Sequence, residues 1–211
     1  MQTLFSTHPR KSPASVPAGG PTDAQLWDQF RGGEERAFAR IYQDHAKVLF
    51  TYGMRLVRDG AMIEDCIHDL FIELWDRKEH LGTTDSIRLY LLKSLKRKVI
   101  RAAAKKHKLV LQDGSEAGYA FPFELSHEAL LIQQQLSAEQ AERLKQGIAK
   151  LTSNQQEIIF LRFYAGLPYE EIGSLLAINY QSVKNLMFRA MKTLRQSLTI
   201  GFVLLTLLFP R

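Results

Sequence analysis

The sequence predicts an all-α protein built as two small helical domains joined by a flexible linker. Three observations predict it. Apolar residues recur at three- and four-residue steps through most of the chain, and no run alternates in strand fashion between turn signals. Basic residues are segregated: Arg88 to Lys108 holds nine Lys or Arg and no acid, and Ile172 to the C-terminus holds five and again no acid. Between them, Leu109 to Ala138 carries four acids and no base, as an acidic connector between two positive faces would.

Bulk properties narrow the function classes. The chain has 211 residues, enough for two modest cores. Its net charge of +6 favours a polyanionic partner. A single cysteine, Cys66, excludes an internal disulfide framework and points to a reducing cytoplasm. The six histidines show no ligand spacing, so no metal and no cofactor are expected.

Residues 1–20 are rich in Pro, Ser, Ala and Gly and lack the apolar run of a signal peptide; they read as a disordered tail. Helices are expected over 23–31, 34–57, 61–79 and 85–106, forming a first domain over 21–108. Gly32-Gly33 and the stretch RDGA at 58–61 break the first three apart. In the third, Ile63, Ile67, Leu70, Phe71 and Leu74 make one apolar stripe, while Glu64, Asp65, His68, Asp69, Glu73 and Asp76 occupy the rest. Phe38, Ile41, Tyr42, Leu49 and Met54 form a matching stripe in the second helix, and Ile87, Leu91, Leu95, Val99 and Ala102 one in the fourth. Three such stripes close a small bundle.

Residues 109–136 have no clear period and read as the linker. Ser137 with Gln140 is a capping-box pattern that opens a second domain over 137–198. Its helices are expected over 138–150, 154–165, 169–176 and 180–198. Thr152 and Ser153 cap the second of these, Gly166 ends it, and Pro168 suits the first turn of the next. Residues 199–211 are nearly all apolar but too short to span a bilayer as a helix. They are expected to pack on the second domain; contact with a regulator or shallow contact with a membrane are the alternatives.

The stretch LPYEEIGSLLAINYQSVKNLMFRAMKTLR (167–195) reads as a short helix, a turn and a longer basic helix, the pattern of a helix-turn-helix. Ile172, Leu175 and Leu176 face the core from the first helix, and Val183, Leu186, Met187 and Leu194 from the second. The outward face then carries Gln181, Ser182, Lys184, Asn185, Phe188, Arg189 and Lys192, side chains suited to phosphates, base edges and thymine methyls. The other basic helix, 85–108, follows a polar loop, not a short helix. A loop plus a basic helix suits melted DNA, with Arg88, Lys93, Lys96, Arg97 and Arg101 as cations. The acidic face of helix 61–79 would repel DNA and suits a basic protein. Solvated faces are the bland alternative for each of these surfaces.

Taken together these pieces resemble the extracytoplasmic-function group of bacterial RNA polymerase sigma factors, in the sigma-70 family. The resemblance is carried by AFARIYQDH (37–45), IEDCIHDLFIELW (63–75), SIRLYLLKSLKRKVI (86–100), IAKLTSNQQEIIFLRFYAGLPYEEIG (148–173) and SVKNLMFRAMKTLR (182–195), about two thirds of the chain in family order. It implies a first domain that binds core RNA polymerase and the melted minus-ten element, and a second that reads the minus-thirty-five duplex. Glu64, Asp65, Asp69, Phe71 and Trp75 fall where the family contacts the polymerase clamp helices. Residues 79–85, with Glu79, His80, Thr83 and Thr84, fall at the loop that captures a turned-out base. Lys184, Asn185, Phe188 and Arg189 fall at duplex-reading positions. The family has no catalytic residues, and its members are commonly held inactive by an anti-sigma protein, often membrane-bound. His68 stands where Gln is usual and Arg97 where Asn is frequent, and Gly173 and Ala177 nearly exchange the usual Ala and Gly. The rivals are a stand-alone helix-turn-helix regulator and a helical enzyme acting on nucleic acid; against the enzyme, no paired carboxylates at metal spacing and no nucleophile beside a base stand out.

Overall fold

The computed structural model describes residues 20–110 and 145–197. The Ser137 capping box, the tails at 1–19 and 198–211, and most of the linker lie outside the described residues. Helices α1 (Asp23–Arg31), α2 (Glu35–Leu56), α3 (Gly60–Asp76) and α4 (Ile87–Val110) form the first unit. A short helical segment at 145–149, then α5 (Ser153–Ile159), α6 (Tyr169–Leu176) and α7 (Tyr180–Ser197), form the second. No strand occurs among the described residues. Helix α4 runs two residues past the expected domain end at 108, so Leu109 and Val110 are helical and not linker.

Local chemistry sets the helix ends. Thr22 and Gln25 close a reciprocal capping box on α1, with bonds of 2.9 and 3.3 Å. Gly33 adopts φ 91° in the turn to α2. Asp59 caps α3 by accepting from the Met62 amide at 3.1 Å. Asp23 reaches the amide of Ile87 at 3.0 Å, so α1 holds the start of α4.

The first core follows the predicted stripes. Ile41, Leu49, Ile63, Ile87, Leu91, Leu95 and Val99 are fully buried, joined by Trp27, Phe30 and Tyr52. A run of rings links α1, α2 and α3: Trp27 to Phe30 (5.2 Å between centroids), Phe30 to Phe38 (5.8 Å) and Phe38 to Trp75 (5.0 Å). Such pairs each contribute about 0.5–1.5 kcal/mol beyond burial. Helices α2 and α3 cross at Gly53, where an added Cβ would lie 2.6 Å from Ile63 Cγ2.

In the second unit Thr152 and Gln155 form the expected capping box on α5. The expected helix over 154–165 is broken: α5 ends at Ile159 and the chain continues as a π turn, Phe160–Tyr164, closed by Ala165 N donating to Phe160 O at 3.0 Å. Gly166 follows at φ 70°, and Pro168 is the N-cap of α6, one position before its first turn. Between α6 and α7 Ala177 takes a left-handed conformation, φ 55°, where glycine is the easier residue. Gly173 explains the near-exchange: the Ile178 carbonyl lies where a Cβ would stand, 2.7 Å away. The tight spot sits at 173 and the left-handed residue at 177, and only the first is occupied by glycine.

The two units are packed against each other, a feature the picture of domains on a flexible linker does not contain. The contact runs along α2 and α4 on one side and α5, the π turn and α6 on the other.

Candidate nucleic-acid and polymerase interfaces

Helix α7 presents its predicted reading face intact. Val183, Met187, Ala190 and Leu194 are buried against α5 and α6. Gln181, Lys184, Asn185, Arg189 and Lys192 are exposed on the other side, Ser182 is half-buried, and Phe188 is 70% exposed. A bare phenyl ring among cations is costly to hydrate unless something covers it. Asn179 accepts from the Ser182 amide at 2.8 Å and sets the start of the helix. Gln181 donates to Asn185 at 3.1 Å, and the Lys184 ammonium lies 5.6 Å from the Tyr180 ring centre. Tyr180, not foreseen from sequence, therefore belongs to this face.

The melted-strand candidates divide into two groups. The loop at 81–86 is pinned by Trp27, whose Nε1 donates to Gly82 O at 2.8 Å. Glu79 and His80, expected in this loop, lie just before it on a short 3-10 helix, Lys78–His80, and are exposed, as is Thr83; Thr84 is half-buried and bonded to Ser86. Between this loop, α3 and α4 lies a cleft of about 250 Å³ whose wall includes Arg97 and Arg101 together with Arg77, Lys98 and Tyr90. Glu73 pairs with Lys98 at 2.6 Å, leaving the arginines as the cleft's available cations. Arg77 and Tyr90 escaped the sequence reading because neither lies on the outward face of the basic run.

Arg88, Lys93 and Lys96 are not brought to that cleft. They point at the second unit. Arg88 Nη1 donates to Ala165 O at 2.6 Å, Lys93 to Ser174 Oγ at 2.6 Å, and Lys96 to Glu157 at 3.0 Å. Glu157 also accepts from the buried Tyr52 hydroxyl at 2.7 Å. The Arg55 guanidinium lies 4.7 Å from the Phe160 ring centre. Burial, with the Glu157 charge beside it, pushes the Tyr52 phenol well above its ordinary range. Ser86 donates to Glu171 at 3.0 Å, and burial raises that carboxyl despite the bond. His45 is buried with Nδ1 unpartnered; desolvation first, then the nearby Arg88, depress its pKa.

The acidic candidates lie on the far side of the first unit. Glu64, Asp65 and Asp69 are exposed on α3 and Trp75 is half-buried. Phe71 departs from the expectation of an exposed contact: at 4% exposure it packs edge-on against Phe38 and Tyr42 and lies beneath the surface. A groove of about 490 Å³ between α2 and α3 takes its apolar wall from Tyr42, Ala46, Phe50 and Ile67 and its charge from Glu64 and Asp65. Tyr42 was assigned to the core stripe but is 47% exposed, and Ile72 nearby is 46% exposed. Among the described residues no cluster of His, Cys, Asp or Glu suits a metal, and no helix is long and apolar enough to cross a membrane.

Known proteins share this arrangement. Residues 41–109 match the model for Sigma-70 region 2 and residues 141–194 that for Sigma-70, region 4, together more than half of the chain. The ECF RNA polymerase sigma factor SigK of Mycobacterium ulcerans is 27% identical over 178 residues, covering 82% of this chain and 91% of the relative. A probable RNA polymerase sigma factor, RfaY of Xanthomonas campestris, is 24% identical across 81% of this chain and 42% of its own length. Among solved structures, the sigma factor RpoE in complex with the anti-sigma factor NepR from Bartonella quintana shares the fold at a TM-score of 0.55 and 16% identity, over 78% of this chain and 98% of that one. CnrH in complex with the cytosolic domain of CnrY gives 0.54 and 18%, over 84% and 97%. The chain belongs to the sigma-70 family of bacterial RNA polymerase sigma factors, in the extracytoplasmic-function group, and its function is promoter-directed initiation of transcription.

Proposed function

We propose that this sigma factor divides its work among three surfaces. The α2–α3 groove, acidic at Glu64 and Asp65 and apolar at Tyr42 and Phe50, receives a basic amphipathic helix of core RNA polymerase, with Asp69 and Trp75 further along α3 as additional contacts. The cleft beside the loop at 81–86 takes an unstacked base of the melted minus-ten strand, with Arg97 and Arg101 on its phosphates. The exposed face of α7 reads the minus-thirty-five duplex, with Lys184 and Arg189 at base edges or phosphates and Phe188 on a thymine methyl. The region 2 domain is assigned to 21–108, extended by the helix to 110, and the region 4 domain to 137–198.

The observation that supports this reading best is the separation of charge. One unit offers acids around an apolar groove and the other an acid-free helix face, so one chain holds a protein-docking surface and a DNA-reading surface at once. On this reading bond chemistry belongs to the polymerase. An anti-sigma protein is a further proposed partner, supported by the similar sigma factor RpoE, whose structure was solved in complex with the anti-sigma factor NepR. The proposed setting is the cytoplasm, where polymerase acts.

The test mixes purified protein with bacterial core RNA polymerase and follows co-elution and promoter-dependent transcription. Stoichiometric binding with new initiation is expected. Tight duplex binding by the protein alone, with no affinity for core enzyme, would overturn the reading in favour of a stand-alone regulator.

A further inference from the structure

We propose that Tyr180 is a specificity-determining residue of the promoter contact: its ring holds the Lys184 ammonium at one place on the α7 face, so that Lys184 meets a base edge and not whichever phosphate is nearest. The proposal rests on the duplex-reading role given to α7 above and deepens it.

A row of alternating cations and rings crosses the helix-turn-helix. Arg162, in the π turn, donates to Leu167 O at 3.1 Å, and its guanidinium lies 5.1 Å from the Tyr169 ring centre. Tyr169 is the first residue of α6 and Tyr180 the first of α7; their ring centres are 6.2 Å apart. Tyr180 then carries the Lys184 ammonium at 5.6 Å, within the roughly 6 Å over which a ring attracts a cation. Residues 180 and 184 lie one turn apart on the same side of α7. The Tyr180 ring is therefore backed by Tyr169, which is itself backed by Arg162, and it is not a loose side chain. Yet Tyr180 is 46% exposed and Lys184 is exposed, so ring and ammonium both stand in the surface a duplex would meet. No acid lies on α7, so no carboxylate of the same helix competes for the ammonium.

The consequence is one of ordering. A free ammonium on a long stem takes the nearest acceptor, phosphate oxygens above all, and those carry no sequence information. An ammonium confined beside a ring has part of its rotamer freedom removed before DNA arrives, and it approaches one base pair. The charge of the face does not depend on the ring. Tyr180 thus governs which base pair is preferred and leaves the electrostatic attraction to the duplex unchanged.

The experiment compares full-length wild type, Tyr180→Leu, which removes the ring, and Tyr180→Phe, which keeps it. Each is also made in a Lys184→Met background. NMR of the free proteins labelled with carbon-13 at lysine Cε reads the ring current at Lys184, whose signal is the one that Lys184→Met deletes. The probes are a duplex that the wild type, loaded on bacterial core RNA polymerase, enriches from a random pool, and every single base-pair variant of that duplex. Affinities across a salt series read charge, and affinities across the variants read discrimination.

The expected result is a ring-current shift of the Lys184 signal in wild type and Tyr180→Phe that is lost in Tyr180→Leu. Discrimination at one base pair should fall about two- to fivefold in Tyr180→Leu and return in Tyr180→Phe, with the same slope of log affinity against log salt in all three. With Lys184→Met in place, Tyr180→Leu should have no further effect. Absence of the ring-current shift, or equal discrimination by wild type and Tyr180→Leu, overturns the proposal. So does a uniform loss of affinity across all duplex variants, which would make the ring merely structural. A wild type that enriches no duplex sinks the reading of α7 and the specificity role with it, whereas enrichment with equal discrimination sinks the role of Tyr180 alone.

Discussion

Replacing Ala177 with glycine should make the protein more stable, and replacing Gly173 with alanine should make it less so. Ala177 sits at φ 55° in the turn that aims the recognition helix. A left-handed L-residue costs about 1–2 kcal/mol, of which glycine's extra freedom in the unfolded chain takes back roughly 0.4–1 kcal/mol. Ala177→Gly is therefore expected to stabilise by about 0.5–1 kcal/mol, or about 1–4 °C in melting temperature. At Gly173 the added Cβ would stand 2.7 Å from the Ile178 carbonyl, a backbone atom that cannot rotate away. Overpacking of this kind costs about 1–3 kcal/mol, against roughly 1 kcal/mol regained from alanine's helix preference. Urea unfolding of both variants measures the signs. Duplex affinity should survive Ala177→Gly and fall in Gly173→Ala, because the turn must shift and α7 with it. A destabilised Ala177→Gly, or a Gly173→Ala as stable as wild type, would refute the assignment of strain and close contact to these two positions.

Other perturbations probe the remaining parts. Gly53→Ala should destabilise by about 1–3 kcal/mol in urea, since its Cβ would meet Ile63 Cγ2 at 2.6 Å where α2 and α3 cross. Lys184→Ala or Arg189→Ala should each weaken specific duplex binding by about 1–3 kcal/mol in a gel-shift titration if its side chain reads a base, and unchanged promoter choice and affinity would remove them from the reading face. Trp27→Phe, which deletes the bond to Gly82 O, should loosen the loop at 81–86 and slow promoter opening while leaving duplex binding by α7 unchanged. His45 has a depressed folded pKa, so its contribution is present above the ordinary value of 6.5 and is lost as pH falls through the folded value. Melting curves from about pH 7 to about pH 5 should show this loss in the wild type and a flatter profile in His45→Gln.

Much of the fold was legible because helical periodicity reports burial directly. Ile63, Ile67, Leu70, Phe71 and Leu74 were read as one stripe and all five are buried. The same regularity misled at Tyr42, which keeps the period yet sits at the rim of a groove. It also misled at Phe71, where an implied docking role could not be told from burial beneath the docking surface. The π turn at 160–164 was invisible, since one inserted residue shifts a stripe by less than the tolerance of the pattern. The least legible feature was the contact between units. Its polar anchors, Glu157, Arg55 and Tyr52, carry no period, and a glutamate on a short helix reads as a solvated residue until the chain folds back upon it. The exposed face of α7 was legible apart from Tyr180, because one helix carries it, with the core on one side and solvent on the other.

The division of the α4 cations gives the long acid-free run from 88 to 108 a physical reason. A helix serving only DNA needs cations on one face. Here they occupy two: Arg97 and Arg101 at the cleft, and Arg88, Lys93 and Lys96 under the region 4 unit. An acid within the run would pair with neighbours three or four residues away and weaken both uses together. Neutralisation is supplied from other elements instead, by Glu73 to Lys98, Asp59 to Lys106 and Glu157 to Lys96. Of these acids only Glu157 comes from a separate unit, so it alone can leave without unfolding the bundle.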